Sequence, residues 1–101
     1  MEKVASDKIE RLAKFLKIIS DCNRLKIIWV IGTGEQSVSE IINQTGLAQT
    51  LVSFHLKVLR ESEVVKTERK GAFIYYSLMN PNLVDILSSF GEYTFNSTDE
   101  G

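Results

Sequence analysis

One cysteine, one histidine and one proline stand in a chain of 101 residues, and each scarcity closes a route. A single cysteine, Cys22, rules out a disulfide within the chain and any thiolate metal cluster. The lone imidazole, His55, lies beside Ser53 with no third group to orient it, and neither a phosphate loop nor a paired-carboxylate motif is visible, so an enzyme is not expected. No apolar run approaches the roughly 20 residues that span a bilayer. The opening M-E-K-V-A-S-D-K lacks the apolar core of a signal peptide, which predicts a cytoplasmic protein with no membrane partner. Excess charge is missing too: the formal net charge is −1. An apolar share of 44% and a charged share of 25% are ordinary for one soluble globular domain, here taken as residues 1–101.

A near-neutral sum looks wrong for a nucleic-acid binder, so the distribution of charge matters more. Residues 57–70 carry Lys57, Arg60, Lys66, Arg69 and Lys70 against three glutamates, and residues 1–26 carry seven basic against four acidic groups. Everything after Lys70 is acidic or neutral. Between the basic segments lies the most informative stretch, V-S-E-I-I-N-Q-T-G-L-A-Q-T-L-V-S-F-H-L-K-V-L-R from Val38 to Arg60. Ser37 with Glu40 three residues on has the spacing of a capping box, and Gly46 supplies the left-handed backbone of a tight turn between helices. Leu47 is placed to plug the angle between them. In the second helix Leu51, Val52, Leu56, Val58 and Leu59 make a wide apolar face. Gln49, Thr50, Ser53, Lys57 and Arg60 lie opposite, with His55 near the border. This pattern predicts a helix-turn-helix over 37–61, whose second helix offers a polar and partly basic face to a major groove.

The flanks complete the architecture. A first helix is expected over 6–19, with Ile9, Leu12, Ala13, Leu16 and Ile19 as an apolar stripe. Asp21 is a natural cap for a second, nearly all-apolar helix from Cys22 to about Gly32. Arg24 in its first turn either pairs with Asp21 or reaches a phosphate. Residues 64–78 read as a two-stranded wing, with Arg69-Lys70-Gly71-Ala72 as its tip and Phe73 to Leu78 as the returning strand. Asn80-Pro81 opens a last helix over 81–91 with apolar Leu83, Val84, Ile86, Leu87 and Phe90, and the closing N-S-T-D-E-G has the composition of a frayed end. The expected fold is mainly α with a two-stranded β-wing, a winged helix-turn-helix. Ile9, Leu12 and Leu16 with Leu83, Ile86, Leu87 and Phe90 give its first and last helices more apolar surface than one small domain needs, which predicts a homodimer.

The order of elements, the segment G-L-A-Q-T-L-V-S-F-H-L-K-V-L-R, the wing K-G-A-F-I-Y-Y-S-L and the opening I-S-D-C-N-R-L-K-I-I together resemble the ArsR/SmtB family of winged-helix repressors. The resemblance implies a homodimer joined by its first and last helices, binding an inverted-repeat operator in double-stranded DNA until an effector releases it. It also implies that Gln49, Thr50, Ser53 and His55 face the major groove. Ala48 stands where the family commonly has a capping serine, and Phe54 where it often has the first of two histidines. The family's soft-metal sensors carry two cysteines where this chain has Ser37 and Ser39, and hydroxyls are poor ligands for such metals. Its zinc and nickel sensors use an Asp and histidines on the last helix, where only Asp85 is present. No metal and no cofactor is therefore expected. Cys22, in the first turn of a helix, is the candidate redox trigger, set against the plainer role of a small residue in a tolerant position.

The reading is a DNA-binding repressor in which Gln49 and Ser53 contact base edges, Thr50 meets a phosphate, and Lys57, Arg60, Arg69 and Lys70 supply charge to the backbone. The rival is a winged-helix module that binds protein instead of DNA.

Overall fold

Ile27, Ile28 and Ile31 are wholly or almost wholly removed from solvent, and the short helix that carries them is the centre of the fold. The computed structural model describes residues 3–98. Five helices and three strands follow in the order α1 (Lys3–Ile19), α2 (Cys22–Ile31), β1 (Glu35–Ser37), α3 (Val38–Thr45), α4 (Gln49–Glu61), β2 (Val65–Lys70), β3 (Phe73–Leu78) and α5 (Leu83–Thr98). Helix α2 packs on α3, α4 and the sheet. Ile41 of α3, with Val52, Leu56 and Leu59 of α4, closes the core around it.

Local chemistry sets the helix ends. Ser37 accepts a hydrogen bond from the Glu40 amide at 3.2 Å, while the Glu40 carboxylate accepts one from the Ser37 amide at 2.8 Å, so the capping box forms as its spacing predicts. Gly46 ends α3 at φ 73, and Leu47 then packs half-buried against the core. Asp21 caps α2 through both the Asn23 and Arg24 amides. Helix α4 lacks such help: Ala48 holds an extended cap conformation but offers no side-chain bond.

The end of α4 shows a feature absent from the sequence reading. The Val64 amide donates to the Leu59 carbonyl at 2.8 Å and the Glu63 amide to the Arg60 carbonyl at 3.0 Å. This is a Schellman ending, and its left-handed position, usually glycine, is Glu63 at φ 61.

The wing forms as an antiparallel pair with Val65 opposite Leu78 and Lys70 opposite Phe73. Its turn is only Gly71-Ala72; Arg69 and Lys70 belong to β2. Gly71 takes φ 64 and Ala72 does not, the sign pattern of a type II′ hairpin. A third strand was not expected. β1 pairs along the other side of β3, with Glu35 opposite Ser77 and Ser37 opposite Tyr75, so β3 is central and the wing is anchored to the start of α3.

The two outer helices differ from expectation at their ends. α1 starts at Lys3, before the predicted residue 6, and α5 runs from Leu83 to Thr98 instead of 81–91, passing through Gly91. Residues 99–101 of the predicted frayed end lie outside the described residues. Leu83, expected at a dimer contact, is buried in its own core, and Leu87 packs half-buried against it. Ile9, Leu12, Leu16, Ile86 and Phe90 stay exposed. Among the described residues no helix is long and apolar enough to cross a membrane.

Candidate nucleic-acid interface

Helix α4 is held by its buried residues Val52, His55, Leu56 and Leu59, and these fix which way the rest of it faces. At about 100° per residue, the direction opposite them is occupied by Thr50, Phe54, Lys57 and Glu61. Gln49, Ser53 and Arg60 lie along one flank of that line. All seven are exposed. The polar set expected from the sequence is therefore brought together on one surface, with the Phe54 ring, 55% exposed, at its edge beyond Thr50.

His55 is not part of that surface. It is 5% exposed and points into the protein, which corrects its expected place in the groove. The Arg24 Nε–H donates to His55 Nδ1 at 3.1 Å, so the ring proton of the neutral imidazole sits on Nε2, 3.7 Å from Asp21 Oδ2. Arg24 also donates through Nη1 to the Ile18 carbonyl at 2.9 Å. The sequence offered Arg24 two roles, pairing with Asp21 or reaching a phosphate; in the structure its guanidinium bonds to His55 and the Ile18 carbonyl in place of Asp21. It ties the last turn of α1 to α4, while Asp21 is used by the α2 cap and the far side of the imidazole. A histidine flanked by Val52, Leu56 and Leu59 sits on the apolar arc, and that spacing was the available signal.

On the wing, Arg69 and Lys70 are exposed as expected. The Lys70 ammonium is bonded to the Glu35 carboxylate of β1 and lies 5.6 Å from the centre of the Tyr75 ring. That hydrogen bond, with lesser help from nearby negative charge, holds its pKa above the ordinary lysine value against a weaker opposing effect of burial. Phe73 and Ile74, beside the turn, are also exposed.

Elsewhere the candidate residues stand apart. Cys22 is exposed at the start of α2 and is the chain's only cysteine. The Ser37 hydroxyl is committed to the α3 cap, and among the described residues no three of His, Cys, Asp or Glu gather as a metal site would require. A groove of about 370 Å³ runs between α1 and α5, lined by Leu12, Phe15, Leu16, Ile86 and Phe90 among others.

The family model described as bacterial regulatory protein, arsR family, matches residues 21–67, from the α2 cap through the recognition helix into the wing. The chain is 36% identical over 72 residues to the transcriptional repressor SdpR of Bacillus subtilis, a match covering 71% of this chain and 80% of that protein. It is 35% identical over 100 residues to a biofilm growth-associated repressor of Xylella fastidiosa, covering 99% and 82% respectively. Its fold matches the crystal structure of the transcriptional repressor BigR from Xylella fastidiosa at a TM-score of 0.78 and 31% identity, over 92% of this chain and 96% of that one.

Proposed function

The chain belongs to the arsR family of bacterial regulatory proteins, and from that premise we infer that it is a DNA-binding transcriptional repressor that acts as a homodimer. The observation that carries the reading is the outward face of α4, where Gln49, Thr50, Ser53, Lys57 and Arg60 share one exposed surface on a helix clamped from behind by its buried residues. Short polar side chains on such a face can bond base edges, and the two cations can neutralise phosphates. Gln49 and Ser53 are assigned to bases, Thr50 to a phosphate, and Lys57, Arg60 and Arg69 to backbone charge. Lys70 is a weaker phosphate partner, because reaching DNA means leaving Glu35.

A modest basic surface binds tightly only when used twice. The exposed Ile9, Leu12, Leu16, Ile86 and Phe90 support a dimer through α1 and α5, which sets two α4 helices into major grooves roughly 34–36 Å apart on an inverted repeat. Cytoplasmic location follows from that role.

Binding to the DNA upstream of its own gene, titrated with salt against a random duplex, tests the reading. A preference of about a thousandfold or more and a steep salt slope are expected. Lys57→Ala should flatten the slope by about one unit per subunit and weaken both DNAs alike, whereas Gln49→Ala should mainly reduce the preference. A shallow slope without preference would overturn the DNA reading and favour a protein-binding winged helix.

A further inference from the structure

We propose that Phe54 is a specificity-determining residue that reads the 5-methyl group of a thymine in the operator, a role that rests on the DNA reading above. A large apolar ring beside Thr50 and Lys57, at the edge of an outward face that also carries Gln49, Ser53, Arg60 and Glu61, needs an occupant that benefits from it. Phe54 is 55% exposed, one turn beyond Thr50 and one turn before Lys57, so whatever α4 docks against meets the ring between a hydroxyl and a cation. A major groove presents polar donors and acceptors from every base and one apolar group, the thymine methyl. Phenylalanine has no hydrogen bond to give guanine, cytosine or adenine there, so the methyl is the base feature it can select.

The ring is also held in place. Phe54 meets the His55 ring edge-to-face, with centroids 5.2 Å apart and planes at 65°. His55 in turn is fixed by Arg24 at 3.1 Å and lies near Asp21. An aromatic side chain resting on a clamped neighbour loses little further freedom on binding, which favours discrimination over loose apolar contact. The core thus reaches the outward face of α4 through one chain of contacts, Arg24 to His55 to Phe54.

Deoxyuracil differs from thymine only by that methyl, so it isolates the contact. An operator is first selected by the full-length protein from a randomised duplex library, and each thymine is then replaced singly by deoxyuracil. At one thymine in each half-site the wild-type protein should lose about fourfold in affinity, the equivalent of one buried methyl group. Phe54→Ala should bind the thymine and deoxyuracil duplexes equally at that position while keeping the other penalties, and Phe54→Leu should retain part of the difference. Because Phe54 lies at the surface, folding of both variants is checked by an unchanged thermal transition. If an operator is enriched but the deoxyuracil penalties of wild type and Phe54→Ala coincide at every position, the methyl-reading role is overturned and the ring is left to a protein contact. If no sequence is enriched, the DNA reading itself fails, and this role fails with it.

Discussion

Removing the His55 ring strands the Arg24 Nε–H that it accepts, so the cost of that change is dominated by an orphaned polar group, not by lost DNA contact. His55→Leu should destabilise the fold by about 2–3 kcal/mol, the range for leaving a charged donor unsatisfied in a part-buried site. Arg24→Leu combined with His55→Leu should cost less than the two single changes added together, since both partners leave at once. Urea unfolding at fixed protomer concentration measures this; simple additivity would show that the pair is not coupled. The opposite sign is expected at Glu63, which holds a left-handed backbone that glycine adopts freely. Glu63→Gly should stabilise by about 0.5–1 kcal/mol, relief of side-chain strain being partly offset by the added freedom of glycine in the unfolded chain. A lower melting temperature for that variant would mean that the Glu63 side chain makes a compensating contact. The conformation of Glu63 and the partner of His55 were not legible from local sequence. Glutamate gives no hint of positive φ, and the partner that defines His55 lies 31 residues away on α2.

At the scale of the element, the caps and the wing hairpin were readable, whereas the third strand and the ends of the outer helices were not. Ser37 with Glu40, Gly46 and Asp21 each act within a few residues, and each does in the structure what its spacing predicts. β1 escaped because Glu35-Gln36-Ser37 has no apolar alternation; it is a strand only because β3 offers it an edge. The sequence predicts an end to α5 at Gly91, yet one glycine in an apolar helix costs about 1 kcal/mol and is outweighed by its neighbours, so the helix runs on to Thr98. Arg69-Lys70-Gly71-Ala72 reads in sequence as a hairpin turn, yet Gly71-Ala72 alone suffices for a two-residue hairpin. Ala48 is the one cap whose absence sequence and structure agree on. Its backbone already sits at φ −64 and ψ 148, so a hydroxyl there would reach the free amides of α4 without rearrangement. Ala48→Ser should raise stability by about 0.5–2 kcal/mol, seen as a higher melting temperature. No gain would show that water already satisfies those amides at no net cost. Because the cap also stiffens the first turn, where Gln49 and Thr50 lie, the same variant is a direct way to ask whether a frayed start of α4 serves DNA binding.

For the whole molecule, the outline itself argues for a second copy. The Cα radius of gyration is 15.3 Å, against about 13 Å for a compact domain of 100 residues, and the longest extent is 50 Å. The stripes of α1 and α5 meet solvent at Leu12, 56% exposed, and Phe90, 58% exposed, on either side of the apolar groove. Neither residue belongs to the buried core, so charging both should leave the protomer folded. Leu12→Glu together with Phe90→Glu places like charges on a surface expected to be apolar on both sides of a two-fold axis. Sedimentation should then report a single chain where the wild type reports two, with an unchanged helical signal. Operator affinity should fall by about a hundredfold or more, because the second recognition helix no longer arrives at the effective concentration that tethering provides. Binding to a single half-site should change little, which separates loss of pairing from damage to α4. A variant that stays dimeric while keeping its affinity would place the two-fold contact elsewhere, and the spacing of the two α4 helices would have to be derived anew from that contact.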